Sequence, residues 1–236
     1  MFNVGLNNLS NREQWLESTL KSLPDGLTIL DAGAGECPYK KWCSHLNYIS
    51  QDFGQYEGTG EAGLQTGSWD NTKLDIVSDI VAIPLGDASV DVIMCTEVLE
   101  HIPNPLEALK EFQRLLKPGG QLILTSPFIS FTHFAPYHFS TGFSRFYYQH
   151  HLPLFGFQIE QMDLSGNFFD YVAQENRRIK WVADKYLGKK LNILEKIIIH
   201  LNLWVLQKYA KQDKKSQDLV CYGIHLVARK NTSITF

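Results

Sequence analysis

The chain has 236 residues, 44% hydrophobic and 20% charged, with a formal net charge of −3. That is enough apolar mass for one elaborated domain with a sizeable core. It excludes a wholly disordered chain and disfavours a globally basic nucleic-acid binder. The four cysteines, Cys37, Cys43, Cys95 and Cys221, show neither CxxC pairing nor disulfide spacing, which suits a reducing compartment and leaves no metal-ligand pattern.

In chain order, the N-terminus lacks the basic and apolar regions of a signal peptide. Ser10-Asn-Arg-Glu13 reads as a capping box opening a helix that buries Trp15, Leu16, Thr19, Leu20 and Leu23, and Pro24-Asp25-Gly26 stops it. Leu27 to Leu30 is a short apolar strand running into the glycine loop Asp31-Ala-Gly33-Ala-Gly35. Tyr48-Ile-Ser50 before Asp52 reads as a second strand, and residues 54–67, with five glycines and no periodicity, as a long loop. Asp75 to Asp79 is short and extended, and Val90 to Cys95 is a strand. Asn104-Pro105-Leu106-Glu107 has capping-box form with proline at the first helical position. Its helix should bury Leu106, Leu109, Phe112 and Leu116 and end at Lys117-Pro-Gly-Gly120, before a strand over Gln121 to Thr125. Phe157 to Glu160 and Leu219 to Arg229 read as two more strands around a helical insert, 166–218. Such alternation predicts an α/β domain with a mostly parallel sheet.

A strand ending in Asp31, Gly33 and Gly35 suits ligand binding, because ligands sit at the carboxyl ends of strands where strand order reverses. Glycines allow close backbone approach, and a following helix start offers free N–H groups. Asp52, 21 residues after Asp31, is placed to accept both hydrogen bonds of a ribose diol. A plain tight turn with a solvated aspartate is the alternative. The third glycine of G-x-G-x-x-G is replaced by Pro38, which disfavours a nicotinamide dehydrogenase, and no GKS or GKT follows for a P-loop.

The series LTILDAGAGECPY, YISQDF, DIVSDIVAIPLGDASVDVIMCTEVLEHI and LKEFQRLLKPGGQLILTSP resembles class I S-adenosylmethionine-dependent methyltransferases of the methyltransferase domain type 11 kind. It covers roughly residues 27–127, and Cys37 stands where the family usually has a third loop glycine. The resemblance implies a Rossmann-like doubly wound, mostly parallel seven-stranded sheet with an antiparallel last strand and a helical insert before it. It implies one domain over 1–236: an N-terminal helix (1–26), a cofactor-binding half (27–127), an acceptor-side segment (128–165), the insert (166–218) and the last strand (219–230). It also implies S-adenosyl-L-methionine as cofactor and S-adenosyl-L-homocysteine as product. By position, Asp31, Gly33 and Gly35 would surround the methionine part and Asp52 the ribose. Asp79 and Ile80 would meet the adenine, and Cys95, Thr96 and Glu97 would line the cofactor near the sulfonium. The alternatives are a surface turn for Asp79 and an ordinary core position for Cys95.

Methyl transfer from a sulfonium needs proximity and a dry site more than a protein nucleophile, and a base only where the acceptor must lose a proton. His133 and His138, after the strand end at Pro127, are the candidate bases, with packing or surface roles as the alternative. His101 belongs to the family pattern and reads as a helix-end hydrogen bond, and no metal is expected, including at His150-His151. Residues 128–171 hold 14 of the 29 aromatics, either an acceptor surface for a sugar or small molecule or a core beneath a loop. That segment resembles the acceptor side of sugar-modifying methyltransferases.

From Arg177 to Lys215 the local charge is +8, leaving −11 elsewhere. Leu191 to Leu206 is apolar nearly all round, so it should be buried, form a homodimer interface or contact a membrane peripherally. The expected location is cytoplasmic, with peripheral membrane contact as the variant. The function expected is methyl transfer to O or N of a small-molecule or glycan-type acceptor. The rivals are a nucleic-acid methyltransferase, disfavoured because Cys95-Thr-Glu-Val98 replaces [DN]PP[YF], and a non-catalytic cofactor-fold protein that binds a partner.

Overall fold

Strands that are apolar at consecutive positions must be covered on both faces, and the central strands of this chain have that property. The structure, a computed structural model, describes residues 2–60 and 62–232. Its strands are β1 (Thr28–Ala32), β2 (Asn47–Asp52), β3 (Ile76–Val77), β4 (Val90–Thr96), β5 (Leu116–Pro127), β6 (Phe157–Ser165) and β7 (Gly223–Lys230). They form one seven-stranded sheet in the order β3-β2-β1-β4-β5-β7-β6. Six strands run parallel and β7 is antiparallel, pairing Gln121 of β5 with Arg229 and Pro127 with Gly223. This is the Rossmann-like arrangement the resemblance implied. β1 lies between β2 and β4, so the strand order reverses there and the carboxyl ends of β1, β2 and β4 open a crevice.

Helix α1 (Asn8–Lys21) buries Leu16 and Leu20 in a cluster with Ile29, Val92, Met94, Ile123 and Val227 from four strands. α2 (Pro105–Leu115) buries Leu109, Phe112 and Leu115. Between β1 and β2 the chain makes no α-helix, only a three-residue 3-10 turn, Lys40–Trp42. The helix start expected after the glycine loop is therefore absent: Cys37 takes φ 57° and Pro38 follows it without an N–H donor.

Several expectations also fail. α2 ends at Leu115 and leaves Leu106 only half-buried, so Leu116 and Lys117-Pro-Gly-Gly120 belong to β5, which starts five residues before Gln121. α1 begins two residues before Ser10, whose hydroxyl bonds back to the Asn7 carbonyl at 3.2 Å. At Asn104 the side chain makes no capping bond, and only the proline at the helix start is as read. The last strand begins at Gly223, because Ser216–Asp218 form a 3-10 turn and the chain reaches β7 only after Tyr222. Helix α3 (Arg145–Leu154) was not anticipated in the aromatic segment.

By contact, the chain divides into two compact units: one combines the N-terminal residues to Glu13 with Leu164–Tyr222, and the other Gln14–Asp163 with the segment from Gly223. The former holds α4 (Phe168–Leu187) and α5 (Ile193–Ala210), each opened by a complete capping box, Asn167 with Asp170 and Asn192 with Glu195. Its core is Val4, Ala173, Leu203 and Leu206. Arg177 donates to the carbonyls of Val4 and Phe2, tying the N-terminal segment to α4. α5 buries only Leu203 and Leu206 and exposes Ile193, Leu194, Ile197, Ile198, Leu201 and Trp204. No helix among the described residues is long and apolar enough to cross a membrane.

Candidate active site

The glycine loop leaves β1 with Gly33 at φ 79° and Gly35 at φ 51°. Space as well as dihedral demands glycine: a Cβ on Gly33 would lie 2.5 Å from Val98 Cγ2, and one on Gly35 2.5 Å from Trp69 Cζ2. Asp31, at the end of β1, is buried, and the Tyr48 hydroxyl donates to its Oδ2. Burial pushes the Asp31 carboxyl up to about 7; the Tyr48 bond opposes the rise and neighbouring Asp52 adds to it. At the end of β2, Asp52 accepts from Gly35 N at 3.1 Å through Oδ2 and from Gly54 N at 2.9 Å through Oδ1. These bonds fix the carboxylate across from the loop, and each oxygen keeps a lone pair for a further donor.

Asp79 is exposed and caps its own turn, accepting from Val81 N at 3.1 Å, while Ile80 beside it is buried. In β4, Cys95 is wholly buried, and burial raises its thiol well above the ordinary range, so it packs in the sheet as a small hydrophobe. Thr96 Oγ1 is buried with no hydrogen-bond partner among the described residues. Glu97 follows at φ 55°, its carboxylate accepting from Thr125 Oγ1 at 2.9 Å. Asp31, Gly33, Gly35, Asp52, Thr96 and Glu97 thus all stand at the carboxyl ends of neighbouring strands. Asp79 and Ile80 follow β3, two strands from β1.

Above these ends stands an aromatic and histidine cluster. Tyr56 stacks on Phe134 at 4.3 Å between centroids, and Trp69 meets Phe134 edge-on at 5.0 Å. Phe53 meets Tyr137 edge-on at 4.8 Å. The long loop is held to the acceptor-side segment by Leu64 N donating to Thr132 O at 2.9 Å and Phe134 N to Leu64 O at 3.1 Å. The rings of His101 and His138 lie 4.6 and 5.0 Å from that of His133. His101 ends a 3-10 turn, Leu99–His101, and its Nδ1 meets Tyr137 O at 2.5 Å, the helix-end bond expected of it. Burial, helped by His133 and His138, lowers His101 to about 4. His138 is lowered by burial and then by His133, and its Nε2 lies 3.3 Å from Ser130 Oγ.

The aromatic excess divides in two: Tyr148 and Phe157 are buried in the core, Tyr148 donating to Ser126 Oγ at 2.6 Å, whereas Phe134 and Tyr137 join the cluster. Sequence reading missed Glu100, which is fully buried beside His101 and His133. It also missed Tyr56 and Trp69, which lie in a stretch without periodicity. The adjacency Glu100-His101 in EVLEH was the one available signal.

The model of the methyltransferase domain family matches residues 30–124. Ubiquinone biosynthesis O-methyltransferase of Xanthomonas oryzae is 38% identical over 64 residues, 27% of this chain and 26% of that protein. An uncharacterized methyltransferase of Mycobacterium bovis is 31% identical over 113 residues, 47% of this chain and 43% of that one. The matched stretch thus spans less than half the length of either curated relative. Among solved structures, a SAM-dependent methyltransferase from Archaeoglobus fulgidus aligns with TM-score 0.56 at 15% identity, covering 94% of this chain and 93% of that one. Phosphoethanolamine N-methyltransferase 2 of Haemonchus contortus, solved with S-adenosyl-L-methionine, aligns with TM-score 0.55 at 15% identity over 94% of this chain and 52% of that one. At such identities the structural likeness is one of fold.

Proposed function

We propose that this chain, whose residues 30–124 match the methyltransferase domain family, is a class I S-adenosylmethionine-dependent methyltransferase that methylates O or N of a small-molecule or glycan-type acceptor. One observation carries the reading. The two glycines, the Asp52 carboxylate and the buried, unpartnered Thr96 hydroxyl meet at one end of the sheet, beneath a cluster of aromatic rings and histidines.

These residues fit the cofactor. Asp52 would hold the ribose diol, the Gly33–Gly35 backbone would line the methionine part, and the buried Thr96 Oγ1 keeps an unused donor and acceptor at the end of β4. Asp79 and Ile80 would flank the adenine, with the exposed carboxylate toward its amine and the buried side chain against its ring. Asp31 acts from beneath the loop, since its carboxyl is buried, and Glu97 is anchored by Thr125. Cys95 supports the wall from within the core. The cofactor supplies a methyl group on a positively charged sulfur, an already activated leaving group.

The chain's own task is to place the acceptor in line and keep water away. Phe134, Tyr56, Trp69 and Tyr137 provide faces on which sugar C–H surfaces or flat rings stack. His138, held below the ordinary histidine value, is unprotonated at neutral pH and can take the proton that an acceptor hydroxyl releases; His133 lies beside it as the second candidate base. On sequence order, the helical unit is an insertion before the last strand of this one domain. Its exposed α5 face is proposed as a contact for a second copy of the chain or a membrane surface in a cytoplasmic setting.

Calorimetry with S-adenosylhomocysteine, followed by a labelled-methyl screen over sugars, nucleotide-sugars, amines and RNA, tests this reading. Binding followed by turnover on a sugar or amine supports it. Turnover on RNA alone moves the assignment to the nucleic-acid rival, and binding without any turnover favours the non-catalytic one.

A further inference from the structure

Glu100, His101 and His133 bring three potential ligand atoms within 4.8 Å of one another, from a short 3-10 turn after β4 and from the segment after β5. The Glu100 carboxylate is fully buried. Its Oε1 lies 3.8 Å from His101 Nε2 and 3.9 Å from His133 Nε2, too long for hydrogen bonds.

The other ring nitrogens explain what faces that carboxylate. His101 Nδ1 meets the Tyr137 carbonyl and His133 Nδ1 meets the Phe131 carbonyl at 2.8 Å. A carbonyl only accepts, so each Nδ1 must carry the proton. In the neutral rings, Nε2 then carries the lone pair, and it lies 3.8 and 3.9 Å from Glu100 Oε1 in His101 and His133. An imidazole fixed by an Nδ1–H···O=C bond, so that Nε2 is the ligating nitrogen, is the usual support of a metal-ligating histidine.

Scale agrees as well. Ligand atoms about 2.0–2.2 Å from a tetrahedral ion stand about 3.4 Å apart. The two Glu100–histidine distances exceed that by about half an ångström, and the whole set, within 4.8 Å, would close around one ion with side-chain movements of at most about 1.4 Å. The expectation of no metal came from linear spacing, whereas here His133 arrives from a segment 32 residues beyond His101.

We propose that Glu100, His101 and His133 bind a divalent first-row transition cation, with Zn2+ the best match to two imidazoles and one carboxylate. Three protein ligands leave positions for oxygen, the pattern of a reactive rather than a structural site. Resting on the methyltransferase reading, those positions would hold an acceptor's hydroxyl oxygen under the Phe134 ring, which lies 5.0 Å from that of His101.

The test uses the full chain after chelator treatment, titrated with Co2+ and followed by its visible absorption, with Zn2+ as competitor. The expected result is a saturable band at one ion per chain, displaced by Zn2+ and weakened at least ~10-fold in His133→Ala and Glu100→Gln. Circular dichroism checks both variants; if the buried Glu100→Gln fails to fold, the partly exposed His133→Ala decides. The site is overturned if the native chain shows no saturable band or if His133→Ala titrates like it. S-adenosylhomocysteine calorimetry on the same samples separates the two ideas, since its failure removes the cofactor reading and leaves the metal titration standing.

Discussion

A carboxyl whose value in the folded chain stands near 7 makes stability fall as pH rises. Asp31 is raised from 3.8 to about 7 by burial, so between those limits the native state holds a proton that the unfolded state has lost. The slope of unfolding free energy with pH is then negative. At about 1.36 kcal/mol per pH unit, the span amounts to about 4 kcal/mol, present in full below pH 4 and gone above pH 7. His101 opposes it: lowered from 6.5 to about 4, it is neutral when folded and charged when unfolded. Its contribution, about 3 kcal/mol by the same conversion, is present above pH 6.5 and lost as pH falls to 4. The two nearly cancel, so a single pH–stability curve would conceal both.

Asp31→Asn removes one term and keeps an oxygen acceptor for Tyr48. Urea unfolding of native chain and variant at pH 4, 5.5 and 7.5, without cofactor, should show the variant gaining on the native chain as pH rises, by up to about 4 kcal/mol. The native minus variant difference cancels the His101 term. A difference constant with pH, or one of the opposite slope, would refute a protonated Asp31 in the folded chain.

Asp52→Ala should weaken S-adenosylhomocysteine about 10- to 100-fold by calorimetry, since two hydrogen bonds to a charged acceptor are worth about 1.5–3 kcal/mol each and are partly offset by water; an unchanged affinity removes Asp52 from the ribose. Gly33→Ala should destabilise the fold by about 1–3 kcal/mol through its left-handed backbone and the 2.5 Å approach to Val98. Adding Val98→Ala should restore part of that loss in a double-mutant cycle, and full additivity would show the loop yields without Val98. For an oxygen acceptor, His138→Ala should lower turnover about 10²–10⁴-fold if it is the base. The acid limb of the native pH–rate profile should then lie below the ordinary histidine value, because burial lowers His138; full activity in both His138→Ala and His133→Ala ends the base assignment. Leu201→Glu on the exposed face of α5 should abolish dimerisation in sedimentation or flotation with anionic vesicles, and a native chain that is monomeric and stays with the soluble fraction removes both partners.

Much of the fold was legible because its signals are local. Apolar runs announced β1, β4 and β5, and the Pro-Gly-Gly stretch marked the end of α2 although it stands inside β5. Asp52 could be placed by its distance along the chain from Asp31, since a strand-turn-strand unit has a narrow range of lengths. What escaped is non-local. Tyr56, Trp69 and Phe134 meet only because Leu64 pairs with His133 across 69 positions, and no periodicity foretells such a pairing. α3 was hidden because its aromatic residues are as compatible with a loop face as with a helix. The missing helix after Gly35 shows the reverse hazard, a motif assumed to bring its usual neighbour although Cys37 and Pro38 already spoke against it.

The position of β7 also bears on how the chain acquires its structure during synthesis. This strand is made after the other six strands of the sheet yet sits inside it, between β5 and β6. Until it has left the ribosome, β5 and β6 each present a row of unpaired amides and carbonyls, the kind of edge on which chains stick to one another. Closure therefore waits for Gly223–Lys230, and a nascent chain held short of it would be a natural client for a chaperone.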